Sequence, residues 1–118
     1  MKYFKLDEEH QLKLCANVLE WALFLAAASE HGSTQVGDVV LELKGDRVWV
    51  ATNFIGAGFA LFETLVVVTA QDKSLGRSSV IKRYDTWEAA IAGHVGQVSF
   101  FEALGYTPLE VTDAAGKD

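Results

Sequence analysis

The chain has 118 residues, of which 50% are hydrophobic and 22% charged, a balance typical of one globular domain. Its formal net charge of −6 at pH 7 argues against a nucleic-acid-binding surface, which requires clustered Lys and Arg. The single cysteine excludes an internal disulfide, and no apolar run reaches the length of a membrane span, so we expect a cytoplasmic protein.

The N-terminal part of the chain predicts a short strand over residues 3–6 and then a long helix. Asp7 is suited to cap a helix that runs from about Glu8 to Ser29. Within it, residues 18–28 read VLEWALFLAAA, ten apolar residues out of eleven. A helix that is apolar on all sides must be covered on more than one flank, so we expect its own sheet on one flank and a second copy, as a homodimer, on another. The first apolar stripe is Leu12, Cys15 or Ala16, Leu19, Leu23 and Ala26, and the neighbouring stripe, the predicted interface, is Leu14, Val18, Trp21 and Leu25.

A β-hairpin is predicted over residues 38–54, with Gly45-Asp46 as a two-residue turn. That turn pairs Leu43 with Val48. It places an aliphatic set on the core face: Val39, Leu41, Leu43, Val48, Val50 and Thr52. The reverse face is mixed in polarity and carries Trp49, which we interpret as part of a second contact surface.

The rest of the chain predicts two more strands and a second helix. FALFETLVVVTA and VIKRYD are the strands, and the helix begins at Asp85 or Thr86 and ends at Gly105. The predicted order is β-α-β-β-β-β-α. Short connections between the strands favour a two-layer α+β fold, with an antiparallel sheet of four to five strands and two helices. We expect a single domain over residues 1–110 and a frayed tail over residues 111–118.

Three titratable residues are candidates for lining a ligand pocket between the sheet and the last helix. His94 lies on the stripe of the last helix that is predicted to face inward, and a buried imidazole can act as an acid, a base or a ligand. Glu63 interrupts an apolar strand, and Arg83 on the next strand is a possible partner. The alternative interpretations are a core histidine hydrogen-bonded to a backbone carbonyl or a carboxylate, and a structural ion pair between adjacent strands. Both are favoured over a pocket.

No motif in the sequence assigns a catalytic residue, a metal or a cofactor. The histidines and the cysteine lack metal-ligand spacing, and the Gly56-Ala57-Gly58 segment precedes a predicted strand rather than the helix that a phosphate cradle needs. His10 and Cys15 do not share a helix face, so Cys15 is interpreted as a small core residue. The sequence favours a protein that is not an enzyme.

From Val48 to His94 the chain resembles a group of small proteins carried by phages, prophages and integron gene cassettes. The blocks that carry the resemblance are VWVATNFIG, FETLV and RYDTWEAAIAGH, and the span that contains them is about forty percent of the chain. Many of those proteins have a longer segment with an Asp-His pair between the first two blocks, where this chain has only AGFAL. The group has no established activity, so the resemblance implies a bacterial mobile-element origin and transfers no site residue.

Two functions follow as hypotheses. The first is a non-enzymatic, oligomeric binding protein from a mobile element, and we expect its partner to be another protein. The alternative is a small-molecule binding or enzymatic domain with a pocket lined by Glu63, Arg83 and His94. The apolar first helix and the Trp49 face favour the first.

Overall fold

The structure is a computed structural model that describes residues 1–32, 34–58, 60–69 and 77–109. The predicted tail, residues 111–118, lies outside the described residues. The elements in chain order are β1 (Phe4–Leu6), β2 (Leu12–Leu14), α1 (Val18–His31), β3 (Gln35–Leu43), β4 (Asp46–Ala57), β5 (Ala60–Thr69), β6 (Arg77–Tyr84), α2 (Trp87–Ala103) and β7 (Thr107–Pro108).

The main sheet has five antiparallel strands in the order β6-β5-β4-β3-β7, and β1 and β2 form a separate two-stranded sheet. α2 packs across one face of β3 to β6. The predicted α+β class is therefore confirmed, with β2 and β7 added to the predicted order. In the described part of the chain, neither helix combines the length and the apolar character needed to cross a bilayer.

The β3–β4 hairpin turns one residue earlier than predicted. Lys44 and Gly45 are the turn residues, with φ of 52° and 93°, as a type I′ turn requires. Leu43 consequently pairs with Asp46 rather than with Val48, which instead pairs with Leu41. Moving a two-residue turn by one position shifts the pairing by two residues, so the predicted core face is unchanged. Val48 and Val50 on that face have at most 1% of their surface exposed.

The first helix begins ten residues later than predicted, at Val18 instead of Glu8. Asp7 does act as a cap, but of the turn between β1 and β2, where its Oδ1 accepts the backbone N–H groups of Glu9 and Gln11 at 2.8 and 2.9 Å. The same side-chain chemistry serves helix starts and tight turns, which explains the error.

Asn17 and Glu20 cap the start of α1 in place of Asp7. Asn17 Oδ1 accepts the N–H of Glu20 at 2.9 Å, and the Glu20 carboxylate accepts the N–H of Ala16 at 2.6 Å. This exchange resembles a capping box, except that the carboxylate accepts the N–H of the residue before the N-cap. Lys5 Nζ lies 2.6 Å from the same carboxylate and holds the pKa of Glu20 below its ordinary value.

The second helix agrees with the prediction at both ends. Thr86 is the N-cap and its hydroxyl accepts the N–H of Ala89 at 3.0 Å. After the helix, Gly105 adopts φ of 107°, the left-handed conformation that ends helices. The inner face of α2 packs on the sheet through Ala90, which is fully buried, and through Val98.

Candidate functional site

A chain of four polar side chains lies between the sheet and α2. His94 Nδ1 is 2.8 Å from Thr52 Oγ1, which is 2.6 Å from Thr64 Oγ1, which in turn is 3.1 Å from the Tyr84 hydroxyl. β4, β5, β6 and α2 each supply one member. Thr52 and Thr64 have no exposed surface, and Tyr84 is 8% exposed. We call this row of four hydrogen-bonded side chains the polar network.

The polar network has one orientation of its hydroxyl protons that satisfies every member. Tyr84 donates to Thr64, Thr64 donates to Thr52, and Thr52 donates to the Nδ1 of a neutral His94. A protonated imidazole instead presents a donor at Nδ1, which would force Thr52 to accept. Burial lowers the pKa of His94 below its ordinary value, and the Asp38 carboxylate opposes that effect. The neutral imidazole is therefore the form that fits.

Two glycines make room for the ends of the polar network. A Cβ on Gly37 in β3 would overlap the His94 ring, and a Cβ on Gly93 in α2 would overlap the Tyr84 ring. Gly93 lies inside a helix, where glycine costs about 1 kcal/mol relative to alanine. The close approach of Tyr84 is the packing reason for that glycine.

The distance between Thr52 and His94 is that of a catalytic nucleophile and its general base, but the Thr52 hydroxyl is not accessible to a substrate. Thr52 has no exposed surface, so its hydroxyl cannot contact a substrate in this conformation. The arrangement agrees with the interpretation of His94 as a core histidine with one hydrogen-bonded partner. That partner is a threonine hydroxyl rather than a carboxylate or a carbonyl.

Glu63 and Arg83 do not join His94. They alternate with Thr64 and Tyr84 along β5 and β6, so they lie on the other face of the sheet. Arg83 Nε is 3.4 Å from Glu63 Oε2, the cross-strand ion pair of the alternative interpretation. The three side chains therefore do not line one pocket.

We call the sheet face opposite α2 the open face, because both described helices pack on the other side. Its central rows are mainly apolar: Val40, Trp49 and Val67 pair across β3, β4 and β5, and Ala51 pairs with Leu65 in the next row, which Asp38 completes on β3. Trp49 is 39% exposed and its indole N–H donates to the Asp38 carboxylate. This placement agrees with the predicted second contact surface.

Charged pairs border the apolar rows of the open face at both ends. Glu42 and Arg47 are cross-strand partners with 3.9 Å between Oε2 and Nε, and the Glu63–Arg83 pair stands at the opposite end. An apolar centre with an aromatic residue and a charged rim is the usual anatomy of a protein–protein interface.

The predicted interface residues of the first helix divide into two groups. Leu14 and Val18 are 60% and 53% exposed, as an interface requires of the free subunit. Trp21 and Leu25 instead face inward: Trp21 Nε1 donates to the Ile55 carbonyl at 2.9 Å, and Leu25 packs on the core beside Phe54.

In their place, Leu19 and Leu23, assigned to the inner stripe from the sequence, are each 62% exposed. The helix is rotated relative to the prediction, since a segment that is apolar all round gives no sequence signal for its inner side.

A groove of about 420 Å³ separates the β1–β2 turn from α1. Its walls combine apolar and acidic side chains: Leu6, Phe24, Ala27 and Ala28 with Asp7, Glu8 and His10. His10 stacks on Trp87, with ring centroids 3.7 Å apart. Sequence reasoning missed this groove because it placed residues 8–14 in the helix.

Cys15 is buried, as predicted for a small core residue, and burial raises its pKa. Among the residues that the structure describes, no group of His, Cys, Asp and Glu is arranged to hold a metal ion.

Comparisons with protein-family models, with curated proteins and with solved structures find no match for this chain.

Proposed function

We propose that this chain is a non-enzymatic, oligomeric binding protein that docks another protein on the open face of its sheet. The observation that carries the proposal is Trp49, which stands 39% exposed among aliphatic residues on a sheet face that no described helix covers. Tryptophan at the centre of such a patch is the residue type that most often dominates binding energy. The bordering ion pairs supply both signs of charge, which orient a partner more than they bind it.

A mobile-element origin is part of the same proposal. The three blocks of resemblance are what supports it, and in the fold they contribute Thr52, Thr64, Tyr84 and His94 to one polar network. Segments that are separate in the sequence thus meet at one place in the fold.

The test is affinity capture from the host bacterium, followed by mass spectrometry. Trp49→Gln removes the indole ring and keeps an N–H donor for Asp38, while Val95→Gln alters an exposed apolar residue of α2 as the matched control. We expect one partner with the wild type and Val95→Gln and its loss with Trp49→Gln. The same set of captured proteins in all three samples would contradict the proposal.

The groove beside α1 favours small-molecule binding as a second candidate function. Its volume of about 420 Å³ lies within the range of sites for drug-sized ligands. Ala27→Trp fills the groove, and Ala92→Trp on the exposed side of α2 is the control. A metabolite that raises the melting temperature of the wild type and of Ala92→Trp, but not of Ala27→Trp, would support this candidate, and a collection without such a compound would contradict it.

A further inference from the structure

The outer side of α1 is an exposed apolar surface. Leu19 and Leu23 stand beside Val18, and each of these three has more than half of its surface exposed. Small exposed side chains, Ala22 and Ala26, lie between them along the helix. Small residues between leucines allow a second helix to approach closely. We call this set the outer face of α1.

We infer that the outer face of α1 binds the same face of a second copy of this chain, with the two helices antiparallel. The inference deepens the oligomeric part of the proposed function. A second copy suits this surface because the surface is apolar throughout and therefore complementary to itself, as a two-fold interface requires.

Charge selects the antiparallel direction. Glu30 is the exposed acidic residue at the end of α1. Lys13 is exposed shortly before the start of α1, and its Nζ lies 3.7 Å from Asp7 Oδ2 of the same subunit, which leaves part of the ammonium group accessible to a partner. An antiparallel pair brings each Glu30 to the start of the other helix, where the partial positive charge of the first turn and the partner's Lys13 stabilise it. A parallel pair would place the two Glu30 carboxylates together, which is unfavourable.

The size of the surface indicates a weak dimer. A helix of 14 residues is about 21 Å long and about 10 Å wide. Even with Leu14 at its border, this strip falls below the roughly 800 Å² per subunit of a standard interface. We therefore expect dissociation on the order of micromolar concentrations.

The first experiment measures mass by light scattering after size exclusion over a concentration series. We expect twice the subunit mass of 12.9 kDa at ~100 µM for the wild type. Leu23→Asp should raise the dissociation constant at least ~30-fold, because two leucines lose their burial in a symmetric dimer. Val95→Asp, at a comparably exposed position on α2, is the control and should remain dimeric.

Each other outcome overturns the inference. A wild type that stays at 12.9 kDa at ~100 µM excludes the dimer, and a Leu23→Asp protein that dimerises like the wild type excludes this face. Circular dichroism of Leu23→Asp should show the wild-type helix content, since Leu23 is 62% exposed within the subunit.

A charge-reversal series tests the direction. Glu30→Lys and Lys13→Glu should each weaken the dimer. The double variant should dimerise more tightly than either single variant but less tightly than the wild type, because a cation then faces the positive end of the other helix. A double variant no tighter than either single variant overturns the antiparallel arrangement. Because Trp49 lies on the sheet, loss of the dimer in Leu23→Asp with intact capture of a partner would leave the proposed docking function standing.

Discussion

Replacing Thr52 by valine removes the central hydroxyl of the polar network while nearly preserving the shape of the side chain. The hydroxyl of Thr64 and Nδ1 of His94 then lose their partner at 2.6 and 2.8 Å. A buried polar group left unpaired costs about 1–3 kcal/mol. Thr64 keeps its hydrogen bond to Tyr84, and His94 is only half-buried and can recruit water, so we expect the free energy of unfolding to fall by about 1–3 kcal/mol.

Thr52→Ser is the matched control, since it keeps the hydroxyl and loses one methyl group, at a cost of about 1 kcal/mol. Urea unfolding followed by tryptophan fluorescence measures both variants against the wild type. A Thr52→Val protein as stable as Thr52→Ser would refute the reasoning, because the hydroxyl would then contribute nothing that a methyl group does not.

Three further predictions concern the surroundings of α2 and the buried thiol. Burial holds the pKa of His94 in the folded state below its ordinary value of 6.5. At pH values between the folded-state pKa and 6.5, the unfolded state therefore binds more protons than the folded state. Stability should be complete above about pH 6.5 and decline as the pH falls below it, and His94→Gln should flatten that decline in urea titrations at several pH values. Gly93→Ala should lower the melting temperature because its Cβ overlaps the Tyr84 ring. Gly96→Ala, where nothing lies within 4 Å of the new Cβ, should gain about 1 kcal/mol, and equal shifts would contradict this explanation. Cys15 should react with an aromatic disulfide reagent only at the rate at which the N-terminal hairpin and α1 open, since it is buried with a raised pKa, and fast labelling of the native protein would contradict its burial.

The sequence was sufficient for the class of fold and for the faces of the strands. Alternation of aliphatic and polar residues in β3 and β4 determines which side is buried, and that result survived an error in the turn. The sequence also predicted both ends of α2 correctly, at Thr86 and Gly105, because capping depends only on residues close in sequence. Asp7 shows the limit of such signals, because the same cap serves a helix or a turn.

The rotation of α1 and the composition of the polar network depend on tertiary contacts. In α1 the inner side is selected by Trp21, whose indole reaches the Ile55 carbonyl in a strand 34 residues away. Thr52 and Thr64 are β-branched residues in strands, where packing is the ordinary explanation. Their hydrogen bond depends on register and on the position of α2, and neither can be read from single residues.

The N-terminal hairpin and α1 are attached to the five-stranded sheet at few points. Tyr3 bridges Ala57, Trp21 reaches Ile55, and Phe24 meets Phe54 edge to face. β3 to β6, by contrast, form a continuous meander in which each strand pairs with the next in sequence. We therefore expect two cooperative units of unequal strength, although both share the core cluster around Phe54. Amide hydrogens of α1 should exchange with solvent through a sub-global opening that leaves β4 and β5 protected.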